Sequence, residues 1–254
     1  MKNLIAISGK GGTGKSTLAA LLVRRLTAAG VRPVLAVDAD PNACLAALLG
    51  LEAAGTIGGL REAARPVKDA PGTMPKAAEV ELRLNEILVE GEGVDALTMG
   101  RPEGPGCYCY VNALLRDGLK RLSTGYAATV IDNQAGMEHL SRLVTAKVDA
   151  LLVVAEATVP AARAARSILE LSQGLPMKIG KRVLVWNKVR GEVGREAAEV
   201  VAGLPLEGTI VLPWDERLAE LYATGRGLTA EACGGPEIDE LLKMCGFMNT
   251  TRVR

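Results

Sequence analysis

A chain of 254 residues with 48% apolar, 23% charged and only 3% aromatic residues must build its core from aliphatic side chains, which suits a buried parallel sheet whose strands are continuous aliphatic runs. The net charge of +1 supplies no field that draws in nucleic acid or anionic lipid at large, and no apolar run approaches the ~20 residues of a membrane-spanning helix. Five cysteines, an odd number in a chain this long, do not make the disulfide framework of a secreted domain; with no signal-peptide pattern at the start, the expectation is a cytoplasmic protein without a membrane anchor.

Residues 4–7 are the first aliphatic run, followed by a glycine-rich turn and a helical pattern from about 15 to 29. Further aliphatic runs stand at 34–37, 127–131, 150–154, 183–186 and 209–212, each followed by enough chain for a helix. This alternation predicts a doubly wound, mostly parallel β-sheet flanked by helices. Residues 52–92 break the rhythm with Pro66, Pro71, Pro75 and mixed charges, and read as an irregular rim insertion, helical over about 79–88, within a single domain spanning 1–254. A second irregular stretch, 100–106, leads into Cys107-Tyr108-Cys109, after which Val111, Leu114, Leu115, Leu119 and Leu122 follow helical spacing. The cysteine pair is thereby placed at a helix N-terminus, where free N–H groups and the helix dipole favour thiolate.

Gly9-Lys10-Gly11-Gly12-Thr13-Gly14-Lys15-Ser16 matches the G-x-x-x-x-G-K-[ST] phosphate-binding loop and lies between the first strand and the first helix, where such a loop belongs. Its glycines let the backbone close around phosphate, Lys15 neutralises the β- and γ-phosphates, and the Ser16 hydroxyl coordinates Mg²⁺. The second strand ends in Asp38-Ala39-Asp40-Pro41-Asn42, at the carboxyl edge that faces the ligand crevice of a doubly wound sheet. Asp38 and Asp40 can there meet Mg²⁺ waters and the attacking water, and Asp40 or Asn42 can also cap a helix. Val130-Ile131-Asp132 has the apolar-then-acidic form of a Walker B strand, and Gly136 gives the following segment freedom to switch. His139, the only histidine, is expected to be structural or interfacial. Asn187 and Pro213 also stand at strand ends, while Asp215 suits either a helix cap or a base contact.

In sequence and position, residues 9–17, including Thr17 and the extra lysine Lys10, resemble the deviant Walker A motif of the MinD/ParA/nitrogenase-iron-protein class of ATPases. The resemblance implies ATP or ADP with Mg²⁺ as ligands, bound through Gly11, Gly12, Thr13, Gly14, Lys15, Ser16 and Thr17. It implies a homodimer in which Lys10 reaches the partner's nucleotide, although a solvated loop lysine is the plain alternative. Asp38 then falls to the Mg²⁺ environment together with Asp132, Asp40 to the attacking water, and Asn187, Pro213 and Asp215 to adenine.

Cys107 and Cys109 supply two thiols, whereas a closed tetrahedral Zn²⁺ site needs four ligands; a symmetric dimer brings four sulfurs to its axis. Soft thiolates suit Zn²⁺ or Ni²⁺ alike, and two ordinary loop cysteines are the alternative. Together, Lys10, the run from Asp132 to His139 and the central Cys107-Tyr108-Cys109 look like the CooC-type ATPases, which mature nickel enzymes, notably carbon monoxide dehydrogenase. That resemblance implies an interface metal held by Cys107 and Cys109, a nickel-enzyme client, and a dimer that ATP closes and hydrolysis releases. The competing expectation is a MinD-like membrane-positioning or ParA-like DNA-partition ATPase. The polar, basic residues 248–254 argue against an amphipathic anchor, and the balanced charge against a DNA-binding face. Cys44 and Cys233 are poorly placed for the iron–sulfur cluster of an electron-transfer ATPase.

Overall fold

The aliphatic runs are strands, and their hydrophobicity on both faces has a direct structural cause. In the computed structural model, which describes residues 3–40, 42–59, 76–100, 109–133, 147–224, 227–228 and 235–248, Leu4 and Ala6 of β1 (Leu4–Gly9) face one buried cluster while Ile5 and Ile7 face another. The strand is sandwiched between two helical layers, so neither side of its period-two alternation is polar. The other strands are β2 (Val34–Ala39), β3 (Val89–Gly91), β4 (Val94–Thr98), β5 (Ala128–Asn133), β6 (Lys147–Glu156), β7 (Lys178–Val189) and β8 (Gly208–Pro213).

They form a sheet in the order β3-β4-β2-β5-β1-β6-β7-β8, parallel throughout except for the β3–β4 pair. On one face lie α1 (Lys15–Ala28), the short α2 (Leu45–Leu48) and α8 (Pro236–Cys245). The other face is covered by α3 (Lys76–Ile87), α4 (Cys109–Leu122), α5 (Val159–Gln173) and α6 (Arg195–Val201). Helix α7 (Glu216–Ala223) follows β8. The expected doubly wound, mostly parallel sheet flanked by helices is therefore the fold observed.

Strands β3 and β4 are not among the aliphatic runs that the sequence displays. Val94–Thr98 is not a continuous aliphatic run, because Asp95 interrupts it; that carboxylate is occupied by the Tyr126 hydroxyl at 2.6 Å and the Gly91 N–H at 3.3 Å. Tertiary pairing with β2 makes it a strand. Within the 52–92 stretch, the expected helix 79–88 is Lys76–Ile87, and β3 closes the sheet's edge antiparallel to β4. The decisive topological feature is β1, flanked by β5 on one side and β6 on the other. Strand order reverses there, which opens a crevice at the carboxyl ends of the strands.

Candidate active site

The phosphate loop leaves β1 inside that crevice. Gly14 occupies the N-cap position of α1 at φ 90°, and no side chain caps the helix. A Cβ there would be strained at this φ and would meet the Asn187 Nδ2 at 2.5 Å, so glycine is demanded twice over. The uncapped N–H groups of α1 are left for an anion. Lys15 is buried at 6% exposure and its Nζ donates to the Lys10 carbonyl at 3.2 Å, which also accepts from the Thr13 hydroxyl at 2.9 Å. Lys10 itself is exposed.

Register fixes the carboxylates. Asp132 stands opposite Asp38 across the β2–β5 pair and opposite Ile7 across the β1–β5 pair. Asp38 is buried, and its two oxygens accept from the N–H groups of Asp40 at 3.0 Å and Leu45 at 2.8 Å. The bonds hold the turn that follows β2. They also settle the capping question: Cys44 stands at the N-cap position of α2 without a side-chain capping bond, its Sγ donating instead to the Asn42 carbonyl at 3.6 Å, and Asp38, rather than Asp40 or Asn42, receives the helix's first N–H. Asp40, half-buried, accepts from the Asn42 N–H at 2.9 Å.

Asp132 is fully buried, and neither of its oxygens has a hydrogen-bond partner of ordinary geometry among the described residues. Burial pushes its carboxyl up to about 7, with Asp38 and Asp40 adding to the rise while the nearby Ser16 hydroxyl and Lys15 oppose it. Burial likewise raises Asp38, against the pull of its two backbone N–H donors. A carboxylate withdrawn from water with unfilled lone pairs is costly unless a cation completes it. These residues therefore fit Mg²⁺: Ser16 and Asp132, with Asp38 beside them, form a hard oxygen environment at the mouth of the phosphate loop. Next to them Asn133, also buried, donates to the Ile7 carbonyl at 3.0 Å and ties β5 to β1.

The base side of the crevice is built by an irregularity in β7. Pairing with β8 slips between Trp186 and Val189, and Lys188 adopts φ 57°. Asn187 Nδ2 donates to the Thr13 carbonyl at 2.8 Å, while Lys188 Nζ reaches the Gly12 carbonyl at 2.5 Å and Glu156 Oε1 at 3.3 Å. Pro213 ends β8, the Trp214 N–H donates to the Val189 carbonyl at 2.9 Å, and the Arg190 guanidinium lies 4.4 Å from the Trp214 ring centroid. Asp215 is the N-cap of α7, accepting from Arg217 N–H at 2.8 Å and Leu218 N–H at 3.3 Å. Of its two expected roles, capping is the one these bonds display. Asn187-Lys188 is the dipeptide expected at this strand end and Asn133 lies in the run from Asp132 to His139, whereas nothing in the local sequence marks Glu156, whose part depends on its contact with Lys188.

Cys109 is the first residue of α4, as its helix-terminal placement required. Cys107 lies outside the described residues, as does the segment 134–139 with His139. Among the described residues no group of three or more His, Cys, Asp and Glu side chains is arranged to hold a metal ion by itself. Nor is any described helix long and apolar enough to cross a membrane.

Comparison with known proteins places these features in context. The model of the CobQ/CobB/MinD/ParA nucleotide-binding domain matches residues 4–228. An uncharacterized ATP-binding protein of Methanocaldococcus jannaschii is 39% identical over 229 residues, covering 87% of this chain and 88% of that protein. The carbon monoxide dehydrogenase accessory protein CooC of Rhodospirillum rubrum is 34% identical over 203 residues, or 74% of this chain and 75% of that one. Among solved structures, the cell division ATPase MinD of Pyrococcus furiosus superposes with a TM-score of 0.67 at 22% identity, covering 97% of this chain and 98% of that one.

Proposed function

The chain belongs to the CobQ/CobB/MinD/ParA nucleotide-binding family of P-loop ATPases, and from that premise we propose that it is a nucleotide-switched dimer that assists nickel insertion into a carbon monoxide dehydrogenase-type enzyme. The observation that carries the proposal is the 34% identity to CooC over 203 residues, joined to a Cys-x-Cys pair whose second member opens α4. Residues 1–254 act as one ATPase domain that works in the cytoplasm.

In the proposed cycle Lys15 and the N–H groups at the start of α1 hold the phosphates. Ser16, Asp38 and Asp132 hold Mg²⁺, which neutralises phosphate charge when bound. Asp40, at the turn pinned by Asp38, orients the attacking water, and Asn187, Pro213 and Asp215 border the adenine. Lys10, exposed on the loop, extends to the partner's nucleotide and stabilises charge developing there. Closure of the dimer brings two Cys107/Cys109 pairs together, making a four-thiolate site for Ni²⁺ or Zn²⁺. Nucleotide state then alters metal affinity or client docking, because only differential binding to the open and closed dimers can shift their populations.

The test is anaerobic Ni²⁺ and Zn²⁺ binding to the wild type and to the Cys107→Ala/Cys109→Ala double variant, with and without ATP. Cysteine-dependent binding of about one metal per dimer, changed by nucleotide, supports the proposal. Binding that survives loss of both cysteines, or no binding at all, sinks the nickel role and turns attention to a positioning or partition ATPase, which liposome and DNA co-sedimentation with ATP then separate.

A further inference from the structure

Two consecutive carbonyls of the phosphate loop are held from outside it. Gly12 O accepts from Lys188 Nζ at 2.5 Å, and Thr13 O accepts from Asn187 Nδ2 at 2.8 Å. Successive residues of a regular strand point to opposite faces and could not both do this. The slip in β7 pairing and the left-handed φ 57° at Lys188 swing the two side chains to the same neighbour. A lysine in that backbone region is uncommon and is retained where its surroundings demand it. Glu156 Oε1, 3.3 Å from Lys188 Nζ, anchors the ammonium from the end of β6.

In a planar trans peptide the C=O and N–H point in opposite directions. Carbonyls of Gly12 and Thr13 drawn toward β7 therefore turn the N–H groups of Thr13 and Gly14 away from it. In the nucleotide-free loop the Thr13 N–H faces across the loop, with the Lys10 carbonyl at 3.5 Å, a long contact that a phosphate oxygen would replace. Gly12 sits at φ 81°, a residue whose adjoining peptide can rotate with little steric penalty. Without an external partner, the Gly12 carbonyl is free to turn inward and set a partial negative charge against phosphate.

We propose that Lys188 is a positioning residue for ATP: tethered by Glu156, its ammonium holds the Gly12–Thr13 peptide in the orientation that presents loop N–H groups to phosphate, with Asn187 doing the same for the next peptide. The inference depends on the ATPase site alone and stands or falls apart from the nickel role. It also explains why position 14 has no room for a side chain: the Asn187 amide and the Lys188 stem lie over it.

Steady-state ATP hydrolysis by the full chain with Mg²⁺ tests it, using Lys188→Met, Lys188→Arg and Glu156→Gln. Loss of one partly exposed charge-assisted hydrogen bond corresponds to roughly a five- to tenfold rise in KM for ATP in Lys188→Met, with kcat within about twofold. Lys188→Arg restores most of the affinity, and Glu156→Gln shifts KM in the same direction by about twofold. The melting temperature without nucleotide stays that of the wild type. A wild-type KM in Lys188→Met, a loss confined to kcat, or a defect that Arg does not relieve overturns the proposal. If Lys188→Met fails to fold, Glu156→Gln decides: an unchanged KM there refutes the tether.

Discussion

Asp132 ties the electrostatics of the crevice to the stability of the whole chain, and Asp132→Asn exposes the link. An unfolded aspartate titrates near 3.8, whereas burial pushes Asp132 up to about 7 in the nucleotide-free protein. Below about pH 4 both states are protonated and there is no penalty. Between these values the native state keeps a proton that the unfolded state has released, so stability falls as pH rises, by up to about 1.4 kcal/mol per unit. Above about pH 7 the penalty levels off at roughly 4 kcal/mol. Asparagine cannot titrate. Whatever its amide loses in unmade hydrogen bonds is independent of pH and cancels when the variant-minus-wild-type difference is compared at two pH values. Urea unfolding of both proteins with chelator and no nucleotide, at about pH 5 and about pH 8, should show that difference moving in the variant's favour by about 2 to 3 kcal/mol. Mg-ATP should then restore wild-type stability far more than that of the variant, since the cation completes the carboxylate. A difference that does not change with pH, or that favours the wild type as pH rises, refutes the argument from burial.

Gly14→Ala forces a Cβ to within 2.5 Å of the Asn187 amide at φ 90°; a loss of about 1 to 3 kcal/mol in thermal stability and no measurable ATP binding are expected, the latter read by calorimetry. Lys10→Ala should fold and melt like the wild type because Lys10 is exposed, yet its ATP turnover should fall by at least tenfold; unchanged turnover at every enzyme concentration excludes a role across the dimer. Asp239 on α8 pairs with Arg25 on α1 through both oxygens, one of them 2.7 Å from Nη2, and this bond holds its carboxyl below the usual value. The pair's contribution is present above about pH 4 and lost as pH falls through the lowered value. Asp239→Asn should therefore cost about 0.5 kcal/mol near neutrality and almost nothing near pH 2, by thermal melts.

Much of the molecule was legible in the chain because its signals are local. Buried on both faces, the strands at residues 4–9 and 34–39 must be continuous aliphatic runs, and a glycine-rich loop between strand and helix carries its chemistry in consecutive residues. Asp38 and Asp132 could be singled out for the same reason, each ending an aliphatic run at the sheet's ligand-facing edge. The sheet's class, the phosphate loop and the carboxylates near it thus follow from the chain alone. The remaining features depend on partners distant in sequence. Val94–Thr98 is a strand because β2 offers its edge, although Asp95 spoils the local pattern. Asp215 caps a helix through bonds visible only once α7 exists. Lys188 reaches a carbonyl 176 residues away because pairing with β8 slips and bulges β7. A bulge is set by the misfit between two paired strands, and a buried charge by all that surrounds it; neither has a period or a motif that a single stretch of residues can carry.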